Sequence, residues 1–224
     1  RMAHRDNWGW RARFGMFIVG AEAVPEAEWW AMVPSHVSVH AARITAPTPW
    51  APWNSTRSAV DLSDDLEHGA RQCAQMHLDA VVLGHSSSSI VGGVEWDQAV
   101  ITRLRELLPT GLAISTNGLD CAAALGALAI RRPFLVFPPW FGRSTVELGE
   151  RYFADQGFSP CGTFRHDPGR GWRELPPNEL YAHGLGFAQD VEALYAQFRP
   201  ECPDTAEGIL IAGTGFRCVG IIDA

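Results

Sequence analysis

The stretch Asp79-Ala-Val-Val-Leu-Gly-His-Ser-Ser-Ser-Ser-Ile-Val-Gly-Gly93 decides how this chain is read. Its apolar run Ala80–Leu83 has no polar break and closes on Gly84. Such a run predicts a strand buried on both faces, as strands of parallel sheets are. His85 and a run of serines follow, then the Gly92–Gly93 turn. A small polar loop behind a buried strand is where open α/β sheets hold ligands, beyond the carboxyl ends of their strands.

The same alternation continues on both sides. Upstream, Phe14–Val19 reads as a buried first strand, Pro25–Met32 as a helix and Val37–Ile44 as a second strand. Residues 60–77 have helical periodicity, with Asp61 or Ser63 as the cap. Downstream come a helix at 97–108, a strand at Leu112–Ser115, a helix at 117–128, a strand at Pro133–Phe137 and a helix at 143–156. A helix at 187–198 then leads to a strand at Gly208–Ala212, which runs into Gly213-Thr214-Gly215. Strands alternating with helices predict parallel sheets in an α/β fold. Two small polar junctions lie about half a chain apart; they either face one cleft or are ordinary strand-to-helix turns. The segment Ala46–Ser55, with Pro47, Pro49, Pro52, Trp50 and Trp53, fits neither helix nor interior strand. It is expected to be a lid or an interface element. A second loop, Asp167–Arg173, is rich in Gly and Arg.

Composition narrows the partners. The chain has 224 residues, 46% hydrophobic and 19% charged, within the range of globular domains. Its net charge of -7, with no run of Lys or Arg, argues against nucleic acid and against an anionic membrane surface. The apolar stretches are too short to span a bilayer, and the polar start Arg1–Asp6 does not read as a signal peptide. The 5 cysteines are scattered, with no C-x-x-C pair, which fits a reducing cytoplasm better than a disulfide framework. A cytoplasmic location is expected. There is no G-x-G-x-x-G behind a strand, no Walker loop and no His/Asp ligand cluster, so no cofactor and no metal are expected.

Both junctions, Ala80-Val-Val-Leu-Gly-His-Ser-Ser-Ser-Ser-Ile-Val-Gly-Gly93 and Gly208-Ile-Leu-Ile-Ala-Gly-Thr-Gly-Phe-Arg-Cys218, resemble the aspartate/glutamate racemase superfamily in its maleate isomerase and arylmalonate decarboxylase branch. So do Val37-Ser-Val-His-Ala-Ala-Arg-Ile44 and Ala123-Ala-Leu-Gly-Ala-Leu-Ala-Ile-Arg-Arg-Pro-Phe-Leu-Val-Phe-Pro-Pro139. The resemblance runs from about Phe14 to Ile222. It implies two pseudo-symmetric Rossmann-like halves, residues 13–116 with 214–224 and residues 117–213, with the active site in the cleft between them. In that superfamily each half ends a strand in a Cys-Thr-type motif, and the two thiols face each other across the substrate. Here His85 falls at the first cysteine position and Gly213 at the second, with Thr214 following it. The decarboxylase pattern keeps only the second cysteine; this chain keeps neither. Cys218 lies five residues past Gly213, which a following helix would carry a turn or more away.

These departures bear on the chemistry the resemblance implies. A two-base racemase needs a thiol on each face of an acidic carbon, and maleate isomerisation needs a thiolate to add to the double bond. Decarboxylation of a malonate-type acid through an enediolate needs only donors for the enediolate oxygens and one proton donor. His85, with a free pKa near 6.5, is the candidate proton donor or base; it is otherwise a strand-end histidine that only makes hydrogen bonds. Ser86, Ser87 and Thr214, expected at helix starts, are the candidate oxyanion donors, with Gly213 beside them. Pro138, Pro139 and Trp140 stand where relatives place a substrate-binding Tyr, implying a more apolar or aromatic ligand; a core role is the alternative for Trp140. Glu22 stands where isomerase-type relatives place an Asn. A carboxylate there repels a second acid group, or else marks a base or a contact to an amine or hydroxyl. The expected partner is a small carboxylate substrate, with a homo-oligomer possible. Three other readings stand beside this one: a maleate-type isomerase or racemase; a serine hydrolase with Ser86 as nucleophile in a G-x-S-x-G-like elbow, served by Asp167 and His183; and a ligand-binding homologue without turnover.

Overall fold

The uninterrupted apolar runs become the two inner strands around which everything else is arranged. A computed structural model describes residues 8–19, 22–44, 64–180 and 183–223. The order is β1 (Ala12–Val19), α1 (Val24–Met32), β2 (Val37–Ile44), α2 (Asp64–Cys73), β3 (Ala80–Gly84), α3 (Ser86–Leu107), β4 (Ala113–Thr116) and α4 (Asn117–Ala127). It continues with β5 (Pro133–Phe137), α5 (Arg143–Asp155), β6 (Gly162–Arg165), α6 (Pro177–Leu180), α7 (Val191–Phe198) and β7 (Gly208–Ile211), with 3-10 turns at Arg199–Glu201 and Val219–Ile221. Two all-parallel sheets result, ordered β2-β1-β3-β4 and β6-β5-β7. This is the α/β architecture with two parallel sheets that the alternation predicts.

Topology places the crevices. From β1 the chain steps outward to β2, then returns across β1 to lay down β3; from β5 it steps to β6 and returns across β5 to β7. In each sheet the strand order reverses beside the inner strand, so the carboxyl ends of β1 and β3, and those of β5 and β7, are the switch points at which open α/β sheets hold ligands. The inner strands are the apolar ones: β5 is buried throughout and β3 from Val81 to Gly84. In β1, Phe17 packs with Leu83, Trp96 and Leu104, while Met16 and Ile18 pack with Val37, Val39 and Val82. That is the period-2 alternation of a strand covered on both sides.

Several boundaries differ from the sequence expectation, each for a local reason. The helix expected at 97–108 begins at Ser86, directly behind β3, and is broken at Gly93, whose φ of 72° and ψ of -179° are non-helical. A glycine takes that conformation without a Cβ penalty. The glycine pair therefore divides one long helix instead of ending a loop. The helix expected at 60–77 runs over 64–73 and passes into turns, with 60–63 outside the described residues; the Pro/Trp segment 46–55 also lies outside them. The helix expected at 187–198 starts at Val191, where Asp190 caps it by accepting from Ala193 N at 3.1 Å. β6 and α6, four residues each, are too short for periodicity to signal.

The two sheets are tied by a buried polar cluster. Ser89 and Asp97 flank the Gly93 break, and the Ser89 hydroxyl donates to Asp97 Oδ1 at 2.7 Å. The Tyr152 hydroxyl, on α5 of the second sheet's layer, donates to Asp97 Oδ2 at 2.6 Å. Gly118 N donates to Ser89 Oγ at 3.3 Å, and Thr116 at the end of β4 lies close enough to pull the Asp97 pKa down. Asp97 is fully buried. Burial pushes its pKa up against the pull of those donors. A Cβ on Gly118 would lie 2.4 Å from the Tyr152 hydroxyl and 2.5 Å from Ser89 Cβ.

Removing one donor from a buried carboxylate leaves its desolvation uncompensated. Tyr152→Phe is therefore expected to lower stability by about 1–3 kcal/mol, and Gly118→Ala by a similar ~1–3 kcal/mol through overpacking. Urea unfolding measures both; unchanged midpoints would show that the cluster does not hold the layers together.

Candidate active site

Four strand ends supply the candidate residues. Behind β1, Glu22 N donates to Val19 O at 2.9 Å, and Arg43 on β2 donates from Nη1 to Glu22 O at 2.9 Å. The backbone of Glu22 is thus fixed on both sides, and Arg43 is itself paired with Glu26. Glu22 is 5% exposed, Thr214 lies close enough to pull its carboxyl pKa down, and its Oε2 has no partner among the described residues. Burial raises its pKa from 4.5 to about 8, outweighing Thr214 and the charge of Arg43. Glu22 is therefore mostly protonated at neutral pH. A neutral carboxyl can donate to a second acid group instead of repelling it.

His85 closes β3 and is 3% exposed. Its Nδ1 bonds Ser88 Oγ at 2.6 Å and its Nε2 bonds Ser87 Oγ at 2.9 Å. Burial lowers its pKa from 6.5 to about 4. The ring is neutral near pH 7, with one nitrogen donating and the other accepting. The imidazolium, the stronger proton donor, is not its resting form, and one of Ser87 and Ser88 donates its hydroxyl to the ring while the other accepts from it.

Ser86 opens α3, and its Oγ accepts a hydrogen bond from Thr214 N at 3.1 Å. That bond brings the carboxyl ends of β3 and β7, and so the two sequence junctions, to one place. Gly213 has φ of 118°, and a Cβ there would lie 2.9 Å from Pro138 Cγ. A cysteine at this position, where the resemblance puts one, would be strained and crowded. Among the described residues no α-helix follows Thr214, contrary to expectation; the chain turns and enters the 3-10 turn Val219–Ile221. Cys218 lies ahead of that turn, its thiol pushed up to about 12 by burial and by Glu28. Glu28 on α1 accepts from Cys218 N at 2.7 Å and Val219 N at 2.9 Å, which holds the segment after β7 to the first sheet's layer.

Other residues take supporting places. Trp140 is buried in the second core, with its ring edge-to-face on Phe216 at 5.8 Å, the core role left open by the sequence. Pro139 is buried and lines a cavity of about 410 Å³ with Arg165, His166 and Arg173 at the ends of β5 and β6. Asp167 is bound by Arg173, and His183 lies 3.8 Å from Glu179. The described hydrogen bonds join neither of them to Ser86, so the hydrolase triad is not assembled. Gln189 carries no sequence signal, yet it shapes the turn: its Nε2 donates to Gly215 O at 2.8 Å and its Oε1 accepts from Arg217 N at 2.8 Å. Among the described residues no group of three His, Cys, Asp or Glu gathers as a metal site, and no helix is long and apolar enough to cross a membrane.

No family model matches the sequence, and no curated protein is found similar to it. Solved structures do match. The maleate isomerase Iso from Pseudomonas putida S16 shares 15% identity at a TM-score of 0.70, over 95% of this chain and 82% of that one. Arylmalonate decarboxylase shares 18% at 0.63, over 93% of this chain and 80% of that one. A mutant of Nocardia farcinica maleate cis-trans isomerase with a covalently bound succinylcysteine intermediate shares 13% at 0.60, over 92% and 80%. At these identities the likeness is one of fold, and it is the fold the two junctions imply.

The Glu22 carboxyl has a testable thermodynamic signature. Unfolded, it loses its proton near pH 4.5; folded, near pH 8. The folded state holds more protons in that window, so stability falls as pH rises through it and levels off above. His85 acts in the opposite sense, removing stability as pH falls from 6.5 toward about 4. Glu22→Gln should abolish the first slope, stabilising the protein by on the order of 3 kcal/mol at pH 7 and by little near pH 4.5. Chemical denaturation at both pH values measures this; an equal difference at both would refute a buried, protonated Glu22.

Proposed function

We propose, with the fold of maleate isomerase and arylmalonate decarboxylase as premise, that this protein is a cofactor-free enzyme acting on a small carboxylic acid. Its reaction is decarboxylation and protonation through an enediolate, in the manner the name arylmalonate decarboxylase describes. The observation that carries the reading is the bond from Thr214 N to Ser86 Oγ at 3.1 Å. It joins the crevices of both sheets at one spot, and the neutral Glu22 carboxyl reaches the same Thr214.

Chemistry favours this reaction over its relatives. A succinylcysteine is the adduct of a thiol on a four-carbon diacid. Here neither strand end carries a thiol, and Gly213 leaves no room for one. Burial raises the pKa of Cys73, Cys121, Cys202 and Cys218, which keeps those thiols from being nucleophilic thiolates. Enediolate chemistry asks instead for neutral donors in a water-poor crevice. Ser86 accepts from Thr214 N and retains its own hydrogen to donate to a substrate oxygen. The neutral ring of His85 holds Ser87 and Ser88 in place and remains a base rather than an acid. A serine hydrolase would need a histidine on Ser86, and the His85 ring engages Ser87 and Ser88 instead.

The test is a panel of malonates, α,β-unsaturated acids and small esters followed by NMR. Carbon dioxide release from a malonate is expected, and it should survive alkylation of every accessible thiol. Ser86→Ala should lower kcat by about 10–1,000-fold, the range for losing one oxyanion donor. His85→Gln, which keeps hydrogen bonding without a titrating ring, should retain activity to within about tenfold; a loss of roughly 100-fold or more would give His85 the proton-transfer role. Hydrolysis of esters alone, with a fluorophosphonate labelling Ser86, would overturn the proposal.

A further inference from the structure

We infer that Glu22 is the catalytic residue that delivers a proton from Oε2 to the α-carbon of the substrate. This rests on the reading of the site as a place of enediolate chemistry. Few groups there can hold a transferable proton. His85 has both ring nitrogens bonded to serines at 2.6 and 2.9 Å. Serine and threonine hydroxyls are far too weakly acidic to act as the donor. Gly213 contributes only backbone.

Glu22 has the opposite character on every count. Its Oε2 is buried and without a partner among the described residues. A buried oxygen with no partner is costly, and such atoms in native structures call for a reason. A ligand that completes the bond supplies one. The carboxyl hangs from a backbone held at both N–H and C=O, to Val19 O and by Arg43 Nη1. That gives the positional precision proton transfer requires. It also lies at the carboxyl end of β1, beside β3, where topology opens the first sheet's crevice. Burial keeps the proton on the carboxyl near neutrality, so the group is an acid ready to donate when substrate arrives.

The step balances without a co-reactant. The bond between the α-carbon and one carboxylate breaks, carbon dioxide leaves, and its electron pair remains as an enediolate on the other carboxylate. The Oε2 proton then forms the new C–H bond. The Glu22 carboxylate left behind is favoured by the nearby Thr214 and by the positive charge of Arg43, and regains a proton from water after product leaves. A protonated Glu22 admits a substrate with two acid groups on one carbon, which an ionised Glu22 would repel.

The experiment uses phenylmalonate as probe with wild type, Glu22→Gln and Glu22→Asp. Calorimetry measures binding, NMR in D2O measures product formation, and infrared difference spectroscopy follows the protonated-carboxyl C=O band near pH 7. Glu22→Gln is close in shape to a protonated Glu and should stay folded, checked by thermal melting. Expected are a fall in turnover of at least about 100-fold for Glu22→Gln with binding within a few-fold, partial activity in Glu22→Asp, and a wild-type band missing from Glu22→Gln. If wild type turns over and Glu22→Gln does so equally, the assignment falls while the enediolate reading stands. If wild type does not turn over phenylmalonate or any malonate of the panel, that reading fails and takes the assignment with it. A wild-type spectrum lacking the band overturns the assignment whatever the kinetics show, and if Glu22→Gln unfolds, full activity in Glu22→Asp with loss of the band does the same.

Discussion

The hydrogen bond from Thr214 N to Ser86 Oγ joins residues 128 positions apart, and the geometry of the site depends on it. Each sheet on its own offers a crevice where its strand order reverses, which many α/β sheets do without binding anything in common. Only when the two crevices meet do the donors on α3, the Glu22 carboxyl and the glycine turn after β7 form one environment. Two further ties act in the same direction from either side. Asp97 gathers Ser89 from α3 and Tyr152 from α5, and Glu28 on α1 takes the N–H groups of Cys218 and Val219. Apart from the Ser89–Asp97 bond, which lies within α3, these contacts cross between the layers.

Neutrality is the electrical theme of the crevice. Burial moves its acid up and its base down, to about 8 for Glu22 and about 4 for His85. Near pH 7 neither is predominantly charged, which is what desolvation imposes on ionisable groups without a strong partner. Glu22 lowers stability as pH rises above 4.5, neutral pH included, and His85 lowers it as pH falls below 6.5. In exchange, charge developing on a ligand would be the dominant charge present, so fixed N–H and O–H dipoles would act on it with little competition.

Much of this was legible in the sequence, and the boundary has a physical basis. Ala80–Leu83 and Pro133–Phe137 declared themselves because strands buried on both faces have no polar positions to confuse the pattern. Gly213 and the serines after His85 stood out because small polar residues behind a buried strand are unusual there. β6 escaped because Gly162–Arg165 is short and alternates half-buried and exposed residues at a sheet edge. The run of α3 from the serines through Gly92–Gly93 into 97–108 escaped because consecutive serines and a glycine pair read as loop by propensity, and tertiary contacts from Asp97 and Thr214 override that. Gln189 and Asp97 act through partners far away in the chain, and nothing local marks a residue whose role is set by distant partners. Glu22 was visible, but its charge state was not, since burial belongs to the fold.

The left-handed backbone at Gly213 bears on how such a site changes over evolutionary time. A single base change converts two of the four glycine codons to cysteine codons, so by mutation alone a thiol at a glycine position lies one or two steps away. By structure it is distant: with Pro138 2.9 Å from where the Cβ would stand and φ at 118°, that cysteine arrives strained and destabilising. Substitutions on this face are therefore ordered. The Pro138 corner has to relax before residue 213 can vary, and the path toward thiol chemistry runs through a residue that takes no part in it.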